Sequence, residues 1–383
     1  HELLGQADFV MANPPFNVDE IDAEKIKNDP RLSFGLPSVN KAGKVSNGNY
    51  VWMSFFHSYL SDTGRAGIVM SSQASSAGGG EAKVREAMIK TGDVDVMVTI
   101  RGNFFYTRSV PCELWFFDKG KPEHLKDKVL MIDARNIYRK VTRKIYDFTP
   151  EQQQNITSIV WLYRGQTHRY LELVESYLDT AFSEMRACDF SEFNTALKAV
   201  VDAHKDDELT KLAETVASDI EAFQSAAKSA FDSGWNGAAR DNDGLKASAD
   251  ALAPVADQAK SLIKEWDHLS KLATRVHDSD VANGIKPAEG KKRLIELDEA
   301  RKAVAEHLKE ARYFHTQAEW LQTRFPDAEL CNVEGLVKLV SHEELKTNDW
   351  SLTPGRYVGV APEEEDEDFD FEEALRDIHI EID

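Results

Sequence analysis

The sequence predicts an α/β fold followed by an all-α region. Three observations carry that prediction. Short apolar or β-branched runs alternate with helical stretches through residues 1–150. From about residue 151 the apolar spacing lengthens from two to about 3.5. Clusters of turn residues separate the periodic stretches. Strand–helix alternation implies a doubly wound, mainly parallel sheet, and the longer period implies packed helices.

The first element is "DFVMANPPF", residues 8–16. Phe9, Val10, Met11 and Ala12 read as a short, fully buried strand of the parallel-sheet type. Two consecutive prolines then remove two backbone donors and fix two φ angles, and each biases the residue before it toward extended backbone. Asn13-Pro14-Pro15-Phe16 is therefore a stiff corner at a strand's carboxyl end, where open α/β sheets bind ligands. A polar loop, 17–48, follows, long enough to suggest function or mobility. "NYVWMSFFHSYL" (49–60) reads as a helix, "GRAGIVMSS" (64–72) as a strand, and "GGGEAKVREAMIK" (78–90) as a loop entering a helix. "VDVMVTI" (94–100), "CELWFFDKG" (112–120) and "KVLMIDAR" (128–135) are further strands.

In the second region Leu252, Val255, Ala259, Leu262, Trp266, Leu269, Ala273 and Val276 are spaced 3-4-3-4-3-4-3, a heptad seam. Leu209, Leu212, Val216, Ile220, Phe223 and Ala227 nearly repeat it, as does the stretch from Leu297 to Leu321. Turn-rich breaks at 232–244 and 278–290 suggest three long helices folded back on one another. Such seams close a self-contained bundle or also take a partner helix. The tail, 346–383, opens with "DWSLTPGRYVGV" and continues into an acidic run expected to stay disordered by self-repulsion. The expected domains are thus 1–150, 151–345 and 346–383.

The chain has 383 residues, 42% hydrophobic and 29% charged. No apolar run approaches the roughly 18 residues of a membrane span, and no secretory signal is visible. Cys112, Cys188 and Cys331 match neither a metal nor a disulfide spacing, which suits a cytoplasmic protein without a metal site. The opening at His1, one short turn before a strand, reads as a piece of a longer protein. The net charge of −20 is uneven. Residues 1–150 carry 20 Lys+Arg against 18 Asp+Glu, whereas 361–383 carry 12 acidic residues and one Arg. Within the first segment Arg135, Arg139, Lys140, Arg143 and Lys144 form a basic run, either a solvated face or a set of phosphate contacts.

The corner suits one kind of chemistry. An exocyclic amine on a purine is a poor nucleophile because its lone pair is delocalised. Two acceptors aimed at its two hydrogens draw it toward sp³ character and free the lone pair for in-line attack on a methyl group. The Asn13 side-chain oxygen and the Pro14 carbonyl can be those acceptors, held rigid by the prolines. Phe16 offers a face for stacking a base swung out of a duplex.

"ADFVMANPPFN" resembles the catalytic motif of the N6-adenine DNA methyltransferases. "NYVWMSFFHSYLSDTGRAGIVMSS", "GEAKVREAMI", "GNFFYTRSVPCELWFFDKGK" and "KVLMIDARNIYRKVTRKIYDFTPEQ" are similar, in order and spacing, to the modification subunit of type I restriction–modification systems. "WSLTPGRYVGV" resembles that family's C-terminal signature. The resemblance covers 1–165 and 349–360 and is weak between them.

It implies the second half of a doubly wound, Rossmann-like methyltransferase sheet, with S-adenosylmethionine as cofactor and adenine N6 in duplex DNA as target. It implies that Asn13, Pro14 and Phe16 hold the target adenine, that Asn13 also borders the cofactor, and that Phe105 or Tyr106 forms a second aromatic wall. One of Phe104, Phe105 and Tyr106 is expected to face the core. The implied partners are a specificity subunit, a nuclease or translocase subunit and a second copy of this chain, with the helices and the C-terminal segment docking the specificity subunit. The family's cofactor loop precedes the catalytic motif, so this chain alone is expected to be inactive. "SSAGGGEAKVREAM" runs from strand to Gly-rich loop to helix but lacks a G-x-G-x-x-G pattern, and "FDSGWNG" (231–237) has no strand before it. Two other readings stay open: a non-catalytic assembly module, and a methyltransferase for another planar amide or amine, on protein glutamine or RNA.

Overall fold

The computed structural model describes residues 3–105, 109–282 and 287–361. Tyr106 and the acidic run lie outside them. Along the chain come β1 (Ala7–Ala12), β2 (Ile21–Asp22), α1 (Ala23–Ile26), β3 (Lys44–Val45), α2 (Asn49–Tyr59), β4 (Leu60–Ser71), α3 (Gly79–Lys90), β5 (Val94–Ile100), β6 (Cys112–Asp118), β7 (Lys128–Asp133), β8 (Arg139–Thr142) and β9 (Ile145–Asp147). Then come α4 (Pro150–Tyr163), α5 (Thr167–Ala187), α6 (Ser191–His204), α7 (Asp207–Ala230), α8 (Asn242–Ala282), α9 (Pro287–Arg324), β10 (Val337–Ser341) and α10 (His342–Thr347). The chain divides into two compact units, one of residues up to Thr149 together with those from Cys331 onward, the other Pro150–Leu330.

The first unit is built on a six-stranded sheet of order β1-β4-β6-β5-β7-β10. It is mixed, not mainly parallel. β1 with β4 and β5 with β7 are parallel, and the other three pairings are antiparallel. The reason lies in the connections: parallel neighbours need a crossover, and the described residues between β5 and β6 carry no helix, so β6 folds back on β5 and inserts between it and β4. The six central strand–helix assignments fall where the sequence places them, β5 residue for residue.

β1 is not fully buried. Among the described residues it pairs only with β4, at the sheet's edge, and one of its two faces packs on the core while the other is uncovered. Val10 packs on the core, while Phe9 and Met11 are 76% and 92% exposed. Loop 17–48 is not irregular either. β2 and β3 pair, and Ala23, Leu32, Val45 and Val51 close a small hydrophobic cluster of their own.

Residues 331–345 do not extend the helical region. β10 pairs antiparallel with β7, and Leu352, Tyr357 and Val358 are buried in the sheet unit's main core. Arg85, 2% exposed, locks this segment in place. Its guanidinium donates to the carbonyls of Trp350, Asp349, Ala77 and Ala74 and to the Tyr50 hydroxyl. Residues 349–358, expected to dock a partner, are thus packed inside this unit because their apolar anchors complete its core.

In the helical unit α7, α8 and α9 are the three long helices that the periodicity predicts, and α4, α5 and α6 precede them. Seven of the eight α8 seam residues are buried, Val276 being the partial exception. α9 packs along α5, α6 and α8, and α7 along α8, so the seams are filled within the unit. Among the described residues no helix is long and apolar enough to cross a membrane, and no group of three His, Cys, Asp or Glu could hold a metal ion.

Candidate active site

β1 delivers Asn13 at its carboxyl end. Asn13 and Pro15 are exposed, Pro14 is buried, and Phe16 is half-buried against the sheet core. Among the described residues no hydrogen bond is made by the exposed Asn13 carboxamide and none is accepted by the carbonyl of the buried Pro14.

The ring of Phe105 meets Phe16 edge-on, with centroids 6.2 Å apart and planes at 70°. The structure therefore brings together two residues that lie far apart in sequence. Phe104 turns away and packs on Phe148 at 4.7 Å. Tyr106 lies outside the described residues, so its side of the aromatic wall is left unassigned.

All five residues of the basic run are exposed. Arg135 donates to both carboxylate oxygens of Asp133, and Arg139 makes a two-pronged pair with Asp147 at 2.9 and 2.6 Å. The Arg139 guanidinium holds the Asp147 carboxyl below its usual range. Lys140, Arg143 and Lys144 stand exposed on the β8–β9 hairpin. That hairpin is stitched to the loop bearing Phe105. The Tyr146 N–H donates to Asn103 O at 3.0 Å, and the Arg101 guanidinium packs on both the Tyr138 and Tyr146 rings, at 4.2 and 4.6 Å from their centroids.

Sequence reading did not find Arg101, Tyr138 and Tyr146, nor Glu113. In register Trp115 stands opposite Ile68, which is level with Ala12; Glu113, opposite Met70, lies further toward the end of the sheet that carries the corner. Thr99 Oγ1 donates to Glu113 Oε1 at 3.3 Å, and Oε2 is buried without a partner among the described residues. Burial pushes the Glu113 carboxyl up to about 8 against an ordinary 4.5, with Ser75 and Thr99 offsetting part of the effect. The only available signal was one acidic residue within an otherwise apolar strand, "CELWFF".

The Gly78–Gly80 stretch does not present an open cradle. Ser38 Oγ accepts the Gly80 N–H at 2.9 Å, and a Cβ at Gly80 would sit 2.6 Å from Ser38 N. This glycine serves the close approach of loop 17–48 to α3.

The edge strand of a mixed α/β sheet thus ends in a proline-locked asparagine corner beside the Phe16–Phe105 ring pair. Comparison with known proteins makes the assignment narrower. Residues 1–195 match the family model described as N-6 DNA Methylase, and the chain belongs to that family. It is 41% identical over 150 residues to the type I restriction enzyme MjaIX methylase subunit of Methanocaldococcus jannaschii, covering 39% of this chain and 27% of the relative. It is 33% identical over 145 residues to the HindI methylase subunit of Haemophilus influenzae, covering 38% of this chain and 31% of the relative. The chain thus spans about three tenths of the length of these curated relatives. A solved type I restriction–modification methyltransferase subunit from Streptococcus thermophilus overlaps 39% of this chain and 30% of its own at 22% identity, with a TM-score of 0.35.

Proposed function

We propose that this chain carries the target-base part of an N6-adenine DNA methyltransferase site and works as part of the modification subunit of a type I restriction–modification complex. The observation that carries the reading is the corner itself: an exposed Asn13 carboxamide and a Pro14 carbonyl with no donor among the described residues, next to the Phe16–Phe105 ring pair. Family membership and the type I relatives support it.

Phe16 and Phe105 would receive the face and edge of an adenine turned out of the duplex. Asn13 Oδ1 and Pro14 O would each accept one N6 hydrogen, holding the nitrogen pyramidal with its lone pair aimed away from the corner. S-adenosylmethionine, when bound, supplies an electrophilic methyl group. Of the residues here, Asn13 fits as its neighbour, and the Gly78–Gly80 loop does not fit as its cradle because Ser38 fills the Gly80 donor. Once methylated, the nitrogen loses one proton to water, and neither acceptor has to act as a strong base. Lys140, Arg143 and Lys144 would lie along the DNA backbone. Specificity and nuclease or translocase subunits, and a second copy of this chain, would dock on the outer faces of the helical unit, since its seams are filled within it.

The test uses the complete subunit in its complex. Asn13→Ala is expected to abolish transfer of labelled methyl to adenine in duplex DNA while assembly is unchanged. Wild-type activity of Asn13→Ala would remove the corner from the mechanism, and label appearing on protein or RNA would redirect the substrate class.

A further inference from the structure

The prolines that stiffen the corner also deprive it of anchors. Pro14 and Pro15 have no N–H, so the corner cannot hydrogen-bond itself to its surroundings through them. β1 holds it upstream through its pairing with β4. Downstream, the backbone passes through Asn17 in the left-handed region, at φ 53°. There a group of three asparagines takes hold. Asn49 Oδ1 accepts the Asn17 N–H at 2.8 Å, and Asn49 Nδ2 donates to Asn17 Oδ1 at 2.9 Å. Asn47 Nδ2 donates to the same oxygen at 3.0 Å, while Asn47 Oδ1 accepts the Asn49 N–H at 2.9 Å. Asn49 is 1% exposed and begins α2.

We propose that Asn49 is a positioning residue for methyl transfer: its buried carboxamide fixes the peptide that leaves Phe16 and thereby sets where Asn13, Pro14 and Phe16 meet the target base. A sealed polar side chain paired on both its oxygen and its nitrogen holds a single orientation. Its donor and acceptor both go to Asn17, one residue past the corner, so it serves the corner as well as its own helix. The inference rests on the proposed adenine site, and its test separates the two.

The measurement is kcat and KM for DNA methylation by the full-length subunit in its complex, with Asn13→Ala as reference. Misplacing the acceptors by an ångström lowers kcat by up to about 100-fold, so Asn49→Ala is expected to approach that loss with KM for DNA and assembly unchanged. Asn49→Asp keeps the acceptor for the Asn17 N–H, and at this buried position the protonated carboxyl can donate to the Asn17 oxygen in place of the amide, leaving the Asn47 bond intact. That variant is expected to stay within about threefold of wild type, the effect of a single modest hydrogen bond. Where Asn49→Ala fails to assemble, Asn17→Gly tests half of the contact, because it keeps the left-handed backbone and the backbone bond to Asn49 Oδ1 but removes the oxygen that receives both amides. A fall in kcat of about three- to tenfold is expected for it. Three results overturn the proposal: kcat unchanged in Asn49→Ala or Asn17→Gly, equal losses in Asn49→Ala and Asn49→Asp, or a loss expressed only in KM. If Asn13→Ala is inactive while Asn49→Ala is not, only the positioning role fails. If Asn13→Ala is active, the adenine site itself fails.

Discussion

The two units both bury an apolar core and some polar side chains, but Asp, Glu, Lys and Arg are sealed in the sheet unit alone among the described residues. In the helical unit the interior repeats: Leu252, Val255, Ala259, Leu262, Trp266 and Leu269 are all nearly fully buried at heptad spacing. In the sheet unit charged and polar side chains are sealed among the apolar ones, including Arg85, Asp95, Glu113 and Lys121. Lys121 donates to the carbonyls of Val94 and Lys128, and Arg85 caps the carbonyls of two loops. A periodic apolar seam tolerates small adjustments in register, but a buried polar group needs one partner at one distance. The corner proposed to hold the target base belongs to the sheet unit.

Truncating the seam is expected to have the largest effect. Trp266→Ala removes a ring packed 4.7 Å from Phe193 and should lower the stability of the helical unit by about 3–5 kcal/mol, read by denaturant unfolding. Arg85→Met tests the sheet unit. It leaves several buried carbonyls unsatisfied and should cost about 2–3 kcal/mol, with protease cleavage appearing first in residues 349–358. An unchanged midpoint for Arg85→Met would mean that polar groups do not hold that unit together. Replacing Lys140, Arg143 and Lys144 by glutamine is expected to weaken DNA binding by the full complex by about tenfold at physiological salt. The slope of log K against log salt should become shallower by roughly one for each phosphate left unneutralised. An unaltered slope would mean the hairpin does not face DNA.

The smallest effect concerns Glu113. Its folded pKa is raised, to about 8 from 4.5, so between those values the folded state holds a proton that the unfolded chain has released. Its contribution is therefore fully present below about pH 4.5 and is lost as pH rises through about 8. Glu113→Gln should flatten that decline and raise the melting temperature most at alkaline pH. A pH profile unchanged from wild type would show that Glu113 ionises without penalty.

Much of this was legible in the chain. The strand from Val94 to Ile100, the helices at 49–59 and 79–90, and the burial of the heptad seams follow from periodicity, because one repeating burial pattern selects one secondary structure. The proline-locked corner was readable because its stiffness is local. Three features were not. The exposure of Phe9 and Met11 depends on which face of β1 other elements cover. The return of residues 331–358 to the sheet unit depends on Arg85, some 265 residues from Trp350. The asparagine group is composed of residue types that sequence patterns assign to loops, and only their convergence makes them informative.

By itself the sequence determined the order of elements, the heptad seams and the rigid Asn13-Pro14-Pro15-Phe16 corner, since each depends on neighbours within a few turns of chain. The tertiary structure decided the mixed strand order, the meeting of Phe16 with Phe105 and the anchoring of Asn17 by Asn49. Those are contacts between segments tens of residues apart, and hydrogen bonds and ring contacts act over a few ångströms, so their partners are named only when the chain has folded.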